Sequence, residues 1–367
     1  MRILTGRAGS GKTAAILREI ARAAEAGEGQ QVLIVPELFS HAYERRLAEA
    51  TANHGARTAE VLTFSRLTGR VFAEVGGLAD TTLTPAGRLL TLQEAARRVE
   101  SGLRVYAGAS QKPETVRELL RAIDEFKCYG VSPEQLLQAA EELEDGQRAL
   151  SDKLRDLGQF YTMYDRLCAV SLPDPRDALS LMAERLPDSH VLDGAQVYLD
   201  GFLGFTPQEV AVIDALLAKR IPLTAAVTCD PAEPDIFLSG CKTAKLLRRM
   251  ARRHNTGVQE EGLGQSKMPR PRDLAALERE GLLPARAPRP SDGGSVRIYA
   301  ASSPYEECEY AAAYIRRMVR ENGARYRDFV VAARDPEPYT AALEMAMARY
   351  DVPVFISEKA DLLQKPP

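Results

Sequence analysis

Residues 6–13 read Gly6-Arg7-Ala8-Gly9-Ser10-Gly11-Lys12-Thr13, preceded by Arg2-Ile3-Leu4-Thr5 and followed by a run rich in Ala, Ile, Leu, Arg and Glu as far as Ala26. The first stretch is β-prone and the last is helical in pattern, so the glycine-rich octet sits between a strand and a helix. That is the setting in which G-x-x-x-x-G-K-[ST] cradles phosphate. The glycines let backbone N–H groups turn inward at a helix N-terminus, whose partial positive charge favours an anion. In this arrangement Lys12 reaches the β- and γ-phosphates of ATP, and the Thr13 hydroxyl ligates Mg²⁺. Gly6, Arg7, Ala8, Gly9, Ser10, Gly11, Lys12 and Thr13 are therefore nucleotide-binding candidates. The bland alternative is a glycine turn followed by a solvated lysine, and the strand-loop-helix context argues against it.

Beyond the octet, Val32-Leu33-Ile34-Val35-Pro36 is a near-continuous apolar run of the kind that forms a strand buried on both faces. Ala59–Phe64, Ala195–Asp200 and Ile221–Thr228 are further strand candidates. Strands alternating with helices predict a parallel α/β sheet. Ser65 is expected to cap the helix after the third strand, and Thr206-Pro207-Gln208-Glu209 carries a capping box with proline at the first helical position. From Pro85 to about Leu186 the pattern changes to amphipathic helices, which predicts an all-helical insertion. The expected organisation is a P-loop α/β domain in residues 1–84 and 190–262 and a helical insertion in 85–189. A proline-rich linker follows in 263–295, and the truncated start of a second α/β domain occupies 296–367. That last segment is read as strands Val296–Ala300, Phe329–Ala333 and Val354–Ile356 around two helices.

The chain has 367 residues, 45% hydrophobic and 27% charged, with a formal net charge of -3. No apolar run approaches the ~18 residues of a spanning helix, and the N-terminus lacks the pattern of an export signal. A cytoplasmic protein with no membrane association is expected. Five cysteines and four histidines lie scattered without metal-ligand spacing, which predicts reduced thiols and no metal or cluster site in this chain. The near-neutral charge gives no global pull towards nucleic acid, so DNA binding would need a local groove.

Asp200, at the end of Val197-Tyr198-Leu199, is the candidate second acid that completes the Mg²⁺ shell. An ordinary Asp-Gly turn is the alternative. Hydrolysing helicases usually place a glutamate next, to activate water; here Gly201 follows, and Glu209 is explained by the capping box. ATP binding is thus better supported than hydrolysis. Thr63-Phe64-Ser65-Arg66 offers a ring and a guanidinium at a strand-to-helix turn, suited to one DNA strand, with core packing as the alternative. Phe202 and Phe205 lie on a glycine-flanked loop at the same predicted sheet edge, where ligands of parallel sheets bind, with core packing as the alternative for each. The basic run Lys242 to Arg253 could lie along a phosphate backbone, although such runs are more often solvated faces.

Taken together these residues resemble the AddB family, the second subunits of bacterial AddAB helicase–nucleases that process double-strand DNA breaks. The segments are GRAGSGKT at Gly6, VPE at Val35, TFSRL at Thr63, YLDGFLGFTPQE at Tyr198, YEECEYAAAYIRRMV at Tyr305, RYRDFVVAARDPEPY at Arg325 and VPVFISEK at Val352. The resemblance implies a superfamily 1 helicase-like architecture: a RecA-like domain interrupted by a helical domain, then a second RecA-like domain with Arg334 at the position that faces the γ-phosphate in active relatives. It implies a helicase-shaped polypeptide that is not the main motor, the translocation coming from an AddA-type partner in a heterodimer. Such a region handles double-stranded and single-stranded DNA, guides the emerging strand and can scan it for the recombination hotspot, with Ser40, Phe64, Arg66, Phe202 and Phe205 as strand-contacting candidates. Where the family often has Gln-x-Thr-Phe, this sequence has Leu38, Phe39, Ser40 and His41. A nuclease domain with an iron–sulfur cluster is implied beyond this segment only. Competing classes are a free-standing P-loop ATPase or kinase and a scaffold of the same fold that has lost nucleotide binding.

Overall fold

The structure, a computed structural model, describes residues 1–51, 58–76, 82–109, 112–143, 145–264, 269–280 and 294–356. Residues Met1–Pro269 pack as one unit and Arg270–Pro367 as another.

The first unit is built on a parallel sheet of β1 (Arg2–Gly6), β2 (Gln31–Ile34), β3 (Ala59–Leu62), β4 (Gln196–Leu199), β5 (Leu223–Thr228) and β6 (Gln259–Gly262), in the order β3-β2-β4-β5-β1-β6. Every ladder is parallel, with Leu33 opposite Val61 and Tyr198, and Leu4 opposite Ala226. Helices α1 (Lys12–Ala26), α2 (Ser40–Ala50) and α3 (Phe64–Val75) follow the first three strands. Two cores result, one on each face of the sheet: Ile3, Val32, Ile34, Val197 and Leu199 point into one, and Leu4, Leu33, Val35 and Tyr198 into the other. The continuous apolar strands are thus explained by burial on both faces. The parallel α/β expectation holds. The sequence reading missed β6, whose Gln259-Glu260-Glu261-Gly262 is polar because it is an exposed edge strand.

Between β3 and β4 the chain forms α4 (Pro85–Val99), α5 (Pro113–Tyr129), α6 (Pro133–Glu142), α7 (Arg148–Val170) and α8 (Ala178–Arg185). Helices α4 to α7 share a core that includes Leu92, Leu119, Ile123, Phe160 and Tyr164. Beside it Lys127 lies 2.6 Å from Asp177 and 3.1 Å from Asp165; burial alone would lower its pKa, but these carboxylates outweigh burial and raise it. Helix α8, grouped with the insertion in the sequence reading, instead joins the core of the sheet through Met182, as does Leu186 just after it. Helices α9 (Pro207–Ala218) and α10 (Leu238–Arg253) complete the unit. The Thr206–Glu209 capping box forms as expected. The cap of α3 does not: Thr63, not Ser65, accepts from the Arg66 N–H at 3.2 Å, because the helix already starts at Phe64.

Most of the expected linker 263–295 lies outside the described residues, but Arg272–Glu280 within it is helical (α11). The second unit holds α12 (Pro304–Asn322) and α13 (Thr340–Arg349), packed through Ala312, Ile315, Ala346 and Met347. The three strands expected there are not formed. Val296–Ala300, Phe329–Ala333 and Val354–Ile356 form no strand pairing among the described residues, and Ile298, Val330 and Phe355 are about nine-tenths exposed or more. Apolar β-branched sequence makes a strand only where another strand supplies its hydrogen bonds.

A candidate nucleotide and strand site at one sheet edge

Because all six strands run the same way, their C-terminal ends share one edge, and the predicted site residues of the first unit meet there. The loop after β1 carries Gly9 and Gly11 at φ 75° and 96°, which a residue with a Cβ adopts only under strain. A Cβ on Gly6 would lie 2.5 Å from Ser10 Oγ. Lys12 is buried, its Nζ donating to the carbonyls of Gly6 at 2.8 Å and Arg7 at 3.0 Å, so the amine closes the loop from inside. Burial lowers the Lys12 pKa, and Asp200 opposes that shift. Ser10 is fully buried, and its Oγ has no hydrogen-bond partner among the described residues.

Arg7 does something the motif alone does not reveal. Its side chain is buried, pairs with Asp230 at 2.6 Å and Glu233 at 3.1 Å, and lies over the Phe237 ring; its backbone N–H donates to the Gly264 carbonyl. The loop is thereby braced against the segments that follow β5 and β6.

Asp200 follows β4, which is separated from β1 by β5 alone. It is buried; its Oδ1 accepts from the Gly201 N–H at 2.8 Å, and its Oδ2 has no hydrogen-bond partner among the described residues. Burial pushes its pKa up, offset in part by the Thr13 hydroxyl, the Gly201 N–H, the Tyr43 hydroxyl and the Lys12 charge. Tyr43, on α2, was not anticipated; burial first and the Asp200 charge next push its hydroxyl up to about 12. A buried carboxylate oxygen without a partner, beside a threonine hydroxyl and a loop whose own hydroxyl Ser10 is also unpartnered, fits the donor set of a Mg²⁺-nucleotide. Glu209 is taken by its cap, where it accepts from the Thr206 N–H at 2.8 Å.

The expected strand-contacting residues divide. Phe64 is buried, its ring 5.6 Å from that of Phe202, which in turn lies 4.9 Å from Phe205. These three form one aromatic cluster, with Phe202 and Phe205 half-buried on the rim of the core. Ser40 is buried at the start of α2, and Arg66 is exposed and paired with Glu44 at 2.5 Å. Phe39 is a more exposed ring at this edge, 46% exposed, with Cδ2 3.7 Å from where a Gly201 Cβ would stand. No signal in the sequence separates Phe39 from Phe64; only the packing does. Arg334 lies exposed in the second unit, beside an open groove there.

The family model described as "ADDB, N-terminal" matches residues 3–278. The chain is 32% identical over 377 residues to a protein of Thermoanaerobacter sp. (strain X514) named as the B subunit of an ATP-dependent helicase/deoxyribonuclease, covering 100% of this chain and 33% of the relative. Proteins of the same name from Moorella thermoacetica and Bacillus subtilis are 34% and 32% identical over 374 and 378 residues, covering 98% and 99% of this chain and 32% of each relative. The chain thus spans about a third of the length of the curated relatives it matches. No described helix is long and apolar enough to cross a membrane.

Proposed function

Because the chain belongs to the ADDB N-terminal family, we propose that it binds Mg²⁺-ATP at the Gly6–Thr13 loop and guides a DNA strand along the adjoining sheet edge. The setting is an ATP-dependent helicase/deoxyribonuclease that processes DNA ends. The observation that carries this reading is the buried Asp200 Oδ2, unpartnered among the described residues and close to Thr13 and Lys12 of the P-loop. In this reading the loop amides and Lys12 would hold the phosphates, while Thr13 and Asp200 would hold the Mg²⁺, which would neutralise charge on the phosphates. Gly201 occupies the place of a water-activating acid, and Glu209 is committed to its helix cap, so bound ATP turns over slowly. The relatives are named as one component of a multi-subunit enzyme, which supports an AddA-type partner for this chain as well. The nuclease activity and the iron–sulfur cluster are assigned to the remaining length of such proteins. Hotspot scanning belongs to the same strand-guiding edge, with Phe39, Arg66 and the Phe202–Phe205 loop as its reading surface.

A steady-state phosphate-release assay on the isolated chain tests this. We expect turnover below about 1 s⁻¹ with or without DNA, against a median near 10 s⁻¹ for enzymes in general. Brisk turnover in the absence of both DNA and a partner would instead make the chain a free-standing ATPase.

A further inference from the structure

Helix α10 is amphipathic in an unusual way. Its buried side is Thr243, Ala244, Leu247, Met250 and Ala251. The opposite side carries Lys242, Lys245, Arg249 and Arg252, all exposed. Their spacing of three, four and three residues places them on one stripe of a 3.6-residue helix, running about 15 Å along its axis. The neighbouring cations are neutralised: Arg248 pairs with Glu260 at 2.5 Å, and Arg253 reaches Asp214 at 3.5 Å. The four on the stripe have no ion pair among the described residues, although the Glu260 carboxylate held by Arg248 also feels the Arg252 charge. A solvated basic face usually carries interspersed acids that pair at i,i+3 or i,i+4, as Arg98 does with Glu94 on α4. This stripe has none.

The stripe also lines a hollow. An open groove of about 820 Å³ runs between it and the loop after β4, whose wall is Gly204 and the half-buried Phe205. The loop is fastened to the helix: Ser239 Oγ donates to the Leu203 carbonyl at 3.3 Å, and a Cβ on Gly204 would stand 3.8 Å from Ser239 Oγ and Thr243 Oγ1. A row of exposed cations opposite an aromatic ring matches the general chemistry of a single-strand groove, in which cations follow the phosphates and rings face the bases.

We propose that this groove binds the phosphodiester backbone of single-stranded DNA, with Lys242, Lys245, Arg249 and Arg252 as its phosphate contacts. The assignment rests on the strand-guiding reading above and extends its path from the Phe202–Phe205 loop onto α10. An acidic polypeptide is the other polyanion such a stripe could take. The ring wall favours a ligand with bases to stack.

The test is the anisotropy of a fluorescein-labelled oligothymidylate titrated with the full chain over a KCl series. Wild type is compared with the fourfold variant Lys242→Gln, Lys245→Gln, Arg249→Gln, Arg252→Gln, and with the charge-conserving Lys242→Arg, Lys245→Arg. At low salt the fourfold variant should bind about tenfold or more weakly. Its slope of log K against log salt should be shallower by about 2 to 3, at about 0.7 per phosphate released. The charge-conserving variant should match wild type. Thermal melts monitored by circular dichroism establish that the variants fold; should the fourfold variant not fold, Lys245→Gln with Arg249→Gln should show about half the slope change. Equal affinity and slope in wild type and variant would overturn the groove while leaving strand guiding in place. A wild-type chain that binds no oligonucleotide would overturn both. Displacement of the oligonucleotide by polyglutamate at equal charge concentration would assign the groove to an acidic polypeptide and overturn it as a DNA site.

Discussion

Asp200 is a carboxylate held where charge is costly. Burial raises its folded-state pKa above the ordinary aspartate value, so the buried charge lowers stability as pH rises through that raised value, and costs nothing once the solution is acid enough to protonate it in both states. Asp200→Asn is therefore expected to raise the melting temperature of the nucleotide-free chain near neutral pH, the gain shrinking towards pH 4, while abolishing the Mg²⁺-dependence of ATP binding. Differential scanning calorimetry across pH checks the first, and titration with and without Mg²⁺ the second. Two phenylalanines, one exposed and one buried, give a contrast of the same kind. Phe39→Ala should weaken oligonucleotide binding by about 1–3 kcal/mol with little change in stability, as expected for a lost stacking platform. Phe64→Ala should cost about 3–5 kcal/mol of stability, as expected for a core ring, which urea denaturation would measure. The nucleotide loop was legible in the sequence because its requirement is local: glycines at fixed positions, then Lys12 and Thr13. Which phenylalanine faces solvent was not legible, since that depends on α2, α3 and the β4 loop meeting in space.

Among elements, α10 is the one whose placement the basic groove depends on. Gly240 lets its first turn rest on the end of β5: a Cβ there would lie 1.9 Å from the Thr228 carbonyl oxygen, a backbone atom that cannot swing aside. Gly240→Ala is expected to destabilise the chain by about 1–3 kcal/mol through overpacking, and thermal melts of the two proteins check it. Helices with strong periodicity and caps, such as α9 with its Thr206–Glu209 box, could be read from sequence alone. Edge and unpaired segments could not. β6 is polar and escaped notice because it is paired on one side only, whereas Phe329–Ala333 is apolar and looks like a strand but has no neighbouring strand among the described residues. Sequence reports a segment's own preference, and a strand is a property of two segments.

For the whole molecule, the loop, Thr13, Tyr43, Asp200 and the basic stripe all fall within Met1–Pro269. Residues 1–269 alone should therefore retain Mg²⁺-ATP affinity to within about threefold, or roughly 0.7 kcal/mol, as measured by fluorescence of a labelled nucleotide. The α/β class and the helical insertion were readable because each rests on long runs of consistent periodicity; helix α11 was not, because it lies in what composition presents as linker. Nucleotide binding by the Gly6–Thr13 loop is the central claim of the proposed function, and calorimetric titration of Mg²⁺-ATP into wild type and Lys12→Ala decides it. Wild type should bind saturably, and the variant should bind about tenfold or more weakly, having lost a charge-assisted contact to phosphate. Identical heats from the two proteins would refute nucleotide binding at this loop.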